Sequence, residues 1–296
     1  MSDEFVECLA PAKINLFLHV TGRRADGYHC LQTAFRMLDH GDRVALRVRD
    51  DGSILRLNEV AGVPAEQDLA IRAARLLQEK TGCRLGAEIR VDKRLPMGGG
   101  LGGGSSDAAT VMLALNRLWQ LDVPRQTLQD WALSLGADVP FFIYGRTAMA
   151  TGVGEQLQAL SLPPAWYVVV EPGVHVPTPE IFRDKGLTRD SEMIIISGFP
   201  ALDIIKRFEN DARNDLESVA CRLYPQVAQA VQVLQQFGAA RMSGSGACVF
   251  VSLDGPDRAR QVVEEVKEFI AAQNSAWRVW SAAALDVHPL HDWAAA

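Results

Sequence analysis

Six glycines fall within seven residues in Pro96-Met97-Gly98-Gly99-Gly100-Leu101-Gly102-Gly103-Gly104-Ser105-Ser106. Without Cβ atoms, such a loop lets a ligand approach the backbone, and its successive N–H groups form a concave set of donors. A strand-like segment, 87–91, precedes the run and a helix-like one, 108–118, follows it. The unpaired N–H groups of a helix's first turn add partial positive charge at that point, which favours phosphate. Ser105 and Ser106 read as helix N-caps whose hydroxyls are also available to a phosphate or its Mg²⁺. A flexible linker is the bland alternative, but linkers are flanked by polar low-complexity sequence rather than by a strand and an apolar helix.

The kind of phosphate site narrows by elimination. Gly98-x-Gly100-x-x-Gly103 fits the dinucleotide pattern, which also needs an acidic residue ending a second strand about 20 residues on. That place is taken by Trp119-Gln120-Leu121-Asp122-Val123-Pro124, a helix end and a turn. No Gly-Lys-Ser/Thr closes the glycine run, so it is not a P-loop either. A nucleoside-triphosphate loop of a third kind is left.

Three further groups carry candidate chemistry. Lys13 and Asn15 are two apart beside the apolar segment 14–20, so a strand points both to one side. An exposed strand-edge lysine is the other reading. Asp138 precedes Pro140, a residue suited to the first helical position, and so stands near the start of a short apolar helix. It is either a simple cap or a carboxylate held ionised and fixed in direction, and the two are compatible. In the turn-rich loop 22–30, Tyr28 and His29 form a ring-stacking site or merely anchor the loop.

The elements around these residues are a mixture of strands and helices. Strands are expected at 5–21 (one or two), 35–38, 42–48, 53–57, 166–171, 248–253 and 277–283. Helices are expected at 68–81, 125–135, 201–221, 225–237 and 257–272. A hairpin-like passage at 145–154 and a Pro-containing link at 161–164 place a division between domains 1–158 and 159–296. His288 and His291 sit three apart in a Pro-containing tail, a weak metal pattern, and no metal site is expected. No internal repeat is seen.

Composition sets the outer bounds. The 296 residues are 48% hydrophobic, enough for one or two well-cored domains. A net charge of −6 gives no footprint for nucleic acid. No apolar run reaches the ~18 residues of a membrane span, and the acidic N-terminus does not read as a signal peptide. Five scattered cysteines without a Cys-x-x-Cys pair argue against disulfides and zinc. The expectation is a cytoplasmic enzyme with no nucleic-acid or membrane partner.

Taken together these stretches resemble the GHMP kinases, named for galactokinase, homoserine, mevalonate and phosphomevalonate kinases. The glycine loop is similar to that family's ATP-phosphate motif, and Gly244-Ser245-Gly246-Ala247-Cys248-Val249-Phe250 to its C-terminal glycine motif. Four more stretches are similar to the branch acting on a cytidine diphosphate conjugate of methylerythritol, on the non-mevalonate route to isoprenoid precursors. They are Ala10-Pro11-Ala12-Lys13-Ile14-Asn15-Leu16-Phe17-Leu18, Arg24-Ala25-Asp26-Gly27-Tyr28-His29, Gly136-Ala137-Asp138-Val139-Pro140-Phe141-Phe142 and Pro177-Thr178-Pro179.

The resemblance implies a two-domain α+β fold with the active site between the domains, and transfer of the ATP γ-phosphoryl group to the 2-hydroxyl of the methylerythritol moiety. It makes Asp138 the catalytic base, Lys13 its charged neighbour and Asn15 a substrate contact. Residues 96–106 hold ATP with Mg²⁺, and Tyr28 and Phe182 sandwich the cytosine with His29 on its edge. The partner is a small molecule, and the protein a monomer or weak homodimer. In one departure, Asp68-Leu69 stands where relatives are expected to have Asn-Leu, and a carboxylate cannot donate to adenine as an amide does. The loop 188–198 matches nothing in the family pattern. A kinase for mevalonate or homoserine is countered by Tyr28, His29 and Phe182, and a non-catalytic sensor by the intact Lys13, Asp138 and glycine loop.

Overall fold

The computed structural model describes residues 4–25, 27–196, 199–210 and 212–295. Asp26 and residues 197 and 198 of the unassigned loop therefore lie outside the described residues. The fold is mixed α and β, with ten strands in one sheet among the described residues.

In the first half, β1 (Val6–Arg23) and β2 (His29–Arg49) form a long hairpin. It is extended by β3 (Ile54–Arg56), β4 (Gly86–Asp92), β5 (Ala148–Thr151) and β6 (Gln156–Ala159). In the second half, β7 (Trp166–Glu171) lies between β9 (Val249–Leu253) and β10 (Arg278–Leu285), with β8 (Arg241–Met242) at the far edge. All pairings are antiparallel except β3 with β4, and Ala284 and Leu285 of β10 pair with β2, which joins the halves.

Two expected breaks are absent. The strands expected at 35–38 and 42–48 are one strand, because Gly41 passes against the β1 backbone. A Cβ there would lie 2.0 Å from the Ala10 carbonyl oxygen, so glycine permits the close passage instead of ending the strand. β1 is likewise continuous, but its register shifts between Pro11 and Lys13 and again between Asn15 and Leu18. Bulges re-aim side chains, and these two bracket Lys13 and Asn15.

Helices α1 (Leu69–Thr81), α2 (Gly103–Leu118), α3 (Arg125–Ala132) and α4 (Val139–Tyr144) serve the first half. Ile71, Leu77, Leu113, Phe141 and Phe142 are fully buried with the inner faces of β2 and β4. Each such side chain contributes roughly 1.5–3 kcal/mol by leaving water. α1 stops at Gly82, whose φ of 66° is the left-handed cap conformation, and whose N–H donates to the Gln78 carbonyl.

Helices α5 (Thr178–Arg183), α6 (Ala201–Asn210), α7 (Glu217–Leu223), α8 (Pro225–Gln235) and α9 (Pro256–Ala272) belong to the second half. The single helix expected over 201–221 is interrupted. Asn214 is buried and donates to the carbonyls of Met242 (2.8 Å) and Gly244 (2.7 Å), while its own oxygen accepts from Leu216 N–H at 3.0 Å. Asp215 accepts from the Val20 N–H at 2.7 Å. Such side chains offer the backbone partners that a continuous helix cannot.

A core separate from those of the two halves lies between them, with Ile14, Phe17, Leu101, Tyr167, Phe208 and Phe250. The last residues return to the first half. Leu290 and Ala294 enter its core, and Arg125 donates to Ile143 (2.7 Å) and Ala294 (2.9 Å) carbonyls. His288 is buried there and accepts the Leu290 N–H at 3.0 Å, while His291 meets Asp292 at 3.1 Å, so both serve the tail's own fold.

Candidate active site

The glycine loop is pinned from one side by the turn between β8 and β9. Cys248 N–H donates to the Gly99 carbonyl at 3.1 Å, the Ser243 hydroxyl to Gly100 at 2.9 Å, and Lys13 N–H to Leu101 at 2.9 Å. Gly100 has φ of 75°, and a Cβ on it would stand 2.0 Å from the Ser243 carbonyl oxygen. Glycine is required there by conformation and by space.

α2 starts at Gly103, with Gly102 as N-cap in the left-handed region at φ 71°. Ser105 and Ser106 are thus inside the first turn and cap nothing, which corrects their expected role. The first turn closes through the Ser106 N–H, which donates to the Gly102 carbonyl at 2.8 Å. Ser105 lines the adjoining cavities, but Ser106 is fully buried with its hydroxyl unpartnered, so it faces away from any ligand at the loop. Leu101 likewise buries its side chain in the core between the halves and meets the loop's surroundings through backbone alone.

Lys13 and Asp138 come together, as the family resemblance implies. The Lys13 ammonium lies 3.4 Å from the Asp138 carboxylate and donates to the Asn15 side-chain oxygen at 2.6 Å. Lys13 is 3% exposed and its charge also sits 5.3 Å from the Phe35 ring centre. Asn15 donates on to the Thr33 hydroxyl at 2.9 Å, and Thr33 to the Phe17 carbonyl. The Asp138 carboxylate and this chain of acceptors together fix the ammonium's direction in a low-dielectric setting. Asp138 is at the start of α4 without a side-chain cap bond, so the carboxylate is not used by the helix.

A cavity of about 910 Å³ has Lys13, Asn15 and Asp138 on its wall together with Tyr28, His29 and Phe182. Tyr28 and His29 are placed by the β1–β2 turn, where Arg24 N–H donates to the Tyr28 carbonyl at 2.7 Å. Tyr28 is 67% exposed. α5, absent from the sequence expectation, carries Phe182, whose ring is 5.0 Å from that of His29 with 30° between planes. Thr178 at its start meets the Ser245 hydroxyl at 2.6 Å, tying α5 to the second glycine turn. His29 titrates below its usual range because of burial first, and then the charges of Arg189 and Arg23.

A second cavity of about 380 Å³ lies on the other side of the glycine loop, lined by Asp68, Leu69, Lys93, Pro96, Met97 and the glycines. Gly98, Gly100, Gly102 and Ser105 face both cavities, so the loop is their common wall. Asp68 is fully engaged: one oxygen caps α1 through Ala70 N–H at 3.0 Å and the other pairs with Arg56 at 3.1 Å. The carboxylate that departs from the family pattern therefore has a structural use.

Sequence reasoning missed Lys93, whose ammonium bridges Asp42 and, at 2.7 Å, Asp107. Burial pushes the Asp107 carboxyl up to about 7, against the pull of Lys93, while the two carboxylates raise Lys93 despite its own burial. Asp42 also accepts from the N–H groups of Arg94 (2.6 Å) and Leu95 (2.8 Å), which fixes the entry to the loop. Ser243 and Asn214 were missed too. Ser243 had only its place in a small-residue turn as a signal, and Asn214 only its polarity inside an expected helix.

A long hairpin-based sheet, a glycine loop opening a helix and a second glycine turn beneath it define a class. Residues 68–146 match the GHMP kinases N terminal domain and residues 200–272 the GHMP kinases C terminal domain. The chain belongs to the GHMP kinases, which are ATP-dependent small-molecule kinases.

Within that family it is similar to 4-diphosphocytidyl-2-C-methyl-D-erythritol kinase of Aromatoleum aromaticum. The two are 56% identical over 97% of this chain and 96% of the relative. The same-named protein of Ralstonia nicotianae is 54% identical over 97% and 96%. A crystal structure of 4-(cytidine 5'-diphospho)-2C-methyl-D-erythritol kinase superposes with a TM-score of 0.77 at 38% identity, over 94% of this chain and 99% of that one. Homoserine kinase from Cytophaga hutchinsonii, at 18% identity and TM-score 0.71 over 95% of both chains, shares the fold.

Proposed function

We propose that this protein transfers the γ-phosphoryl group of ATP to the 2-hydroxyl of 4-diphosphocytidyl-2-C-methyl-D-erythritol, giving the 2-phosphate and ADP. The single observation that carries the chemistry is the Lys13–Asp138 pair at 3.4 Å on the wall of the larger cavity. The relatives' names, at 54–56% identity over nearly the whole chain, carry the substrate.

In this reading the hydroxyl oxygen attacks the γ-phosphorus as the bond to the β,γ-bridging oxygen breaks. The hydroxyl proton goes to Asp138. A tertiary alcohol is a poor nucleophile until its proton has an acceptor within hydrogen-bond reach. Lys13 keeps that carboxylate ionised and offsets charge on the transferring group. The glycine loop, from Pro96 to Ser105, holds the triphosphate between the two cavities, and positioning does most of the rest. Asn15 contacts the sugar-like end, and Tyr28, His29 and Phe182 hold the cytosine.

Mg²⁺ fits the donor set. Among the described residues no three His, Cys, Asp or Glu gather into a protein-only cage, and a magnesium ion carried on nucleotide phosphates needs none. The Ser105 hydroxyl, on the wall shared by the two cavities, is a protein oxygen in place for it. When bound, it neutralises charge on the phosphates.

In this reading residues 1–158 and 159–296 are the two domains, although Leu290 and Ala294 pack into the first core and Leu18 and Val20 into the second. No described helix is long and apolar enough to cross a membrane, and the reading places the enzyme in the cytoplasm as a monomer or weak homodimer.

The test is ADP release with Mg-ATP and, separately, the cytidyl substrate, mevalonate or homoserine. Turnover with the cytidyl compound alone is expected. Equal or better turnover with another alcohol would overturn the substrate assignment.

A further inference from the structure

Arg189 lies in the loop that matched no family pattern, yet its guanidinium is fully engaged at the cavity wall. Its Nε donates to His29 Nε2 at 3.2 Å. Its Nη1 donates to the Leu187 carbonyl at 3.0 Å, and Nη2 to the carbonyls of Phe182 (3.0 Å) and Asp184 (2.7 Å). One side chain thereby fixes both the His29 ring and the backbone carrying the Phe182 ring against which His29 packs.

The chemistry of that contact is asymmetric. A guanidinium only donates and does not lose its proton. A ring nitrogen facing it must therefore offer a lone pair, so His29 Nε2 is the acceptor. The ring is then neutral, with its one proton on Nδ1. Burial and the charges of Arg189 and Arg23 act in the same direction, since all three disfavour the imidazolium. Arg23 on β1 and Arg189 are the charged groups acting on the ring, and both are positive.

We propose that Arg189 is a positioning residue that holds His29 as the neutral Nδ1–H tautomer, so that the cavity presents a donor to a pyrimidine and thereby favours cytosine over uracil. Cytosine N3 is an acceptor, whereas uracil N3 carries a hydrogen, so a fixed donor matches one edge and collides with the other. The specificity half rests on the cytidyl reading of the cavity; the tautomer half does not. A site built to pair one polar edge discriminates strongly because the wrong base leaves buried groups unpaired.

The test combines two readouts on the full chain. In ¹⁵N-histidine-labelled protein, with His29 assigned by loss of its signals in His29→Asn, the wild type is expected to show a protonated Nδ1 and an unprotonated Nε2 from pH 5.5 to 8. Arg189→Met should give a mixed tautomer that protonates nearer its ordinary range. It should weaken CDP binding about tenfold, the worth of one good hydrogen bond to a charged or fixed partner, and leave UDP binding unchanged. The KM for the cytidyl substrate rises with it, and the KM for ATP does not. Arg189→Lys, which keeps a donor and a charge, should recover part of the tautomer preference and of the CDP preference. That recovery separates a tautomer effect from general loosening of the loop.

A wild-type ring protonated on Nε2, or an Arg189→Met protein with unchanged tautomer and unchanged CDP-to-UDP ratio, overturns the proposal. Wild-type protein that holds the Nδ1–H tautomer but does not prefer CDP would instead overturn the cytidyl reading and the specificity half with it.

Discussion

Asp138→Asn separates proton acceptance from charge and shape. Asparagine is nearly isosteric, so α4 and the cavity are expected to keep their form. At 3.4 Å, two unit charges attract by about 5 kcal/mol at an effective dielectric constant near 20. The carboxylate is one-third exposed, which screens that figure to a fraction of its value. Lys13 also keeps the Asn15 oxygen at 2.6 Å, so the variant remains folded, with a melting temperature within a few degrees. The lost function is larger. A positioned general base contributes about 10²–10⁴ in rate, or about 2.7–5.5 kcal/mol of barrier. With no carboxylate beside it, the Lys13 charge is fully available to phosphate, so the KM for ATP should stay level or fall while kcat collapses. Coupled ADP release under saturating substrates measures both. A kcat within tenfold of wild type would remove Asp138 from the base role.

Three more outcomes are expected. Phe182→Ala removes one aromatic face worth about 1–3 kcal/mol to a stacked base, so KM for the cytidyl substrate should rise roughly 5- to 150-fold; an unchanged KM would refute the stacking role. Gly100→Ala forces a Cβ to 2.0 Å from the Ser243 carbonyl at φ 75°, adding roughly 1–2 kcal/mol of left-handed strain to a backbone clash. It should lower the melting temperature and abolish the thermal shift given by ATP, and a retained ATP shift would contradict the loop geometry.

The third concerns His288, which burial first, then Arg125 and His291, depress to about 3. A depressed folded value means stability present above the unfolded value near 6.5 and lost as pH falls from there toward 3. By pH 5 the loss is about 2 kcal/mol, or about 4–8 °C in melting temperature. His288→Asn keeps an acceptor for Leu290 N–H without titrating, so its melting curve should lack that acid limb. Parallel pH profiles for the two proteins would exclude the tail histidine as the cause.

What was legible in the sequence is what local rules decide. Lys13 and Asn15 share a side because strand side chains alternate, and their 2.6 Å contact follows. Asp138 stands at a helix start because Pro140 marks one. The glycine loop was legible as the link between a strand and a helix because six glycines lie between two well-patterned segments. What was not legible depends on partners far along the chain. Ser243 bonds Asn15 across 228 residues, and Asn214 breaks a helical pattern to hold Gly244. The serine caps were misplaced for the same reason. Local propensity puts the helix start after the glycines, whereas the helix begins at Gly103, which packs against Asp42, Lys93 and Leu95 from elsewhere in the chain.

The distant turn between β8 and β9 also sets which way the loop's N–H groups point. The carbonyls of Gly99, Gly100 and Leu101 accept from Cys248, Ser243 and Lys13, three groups on the protein side of the loop. In a trans peptide the C=O and the following N–H point in opposite directions. Anchoring those three carbonyls therefore turns the N–H groups of Gly100, Leu101 and Gly102 away from the anchor, and the flanking glycines line both cavities. The same bonds set the chemistry, since Lys13 contributes its own backbone N–H to the loop and its ammonium to Asp138. Lys13 of β1 thus touches both the glycine loop and the start of α4. In the proposed reaction that makes Lys13 a residue in contact with both the triphosphate loop and the carboxylate, and in-line transfer depends on the distance between those two.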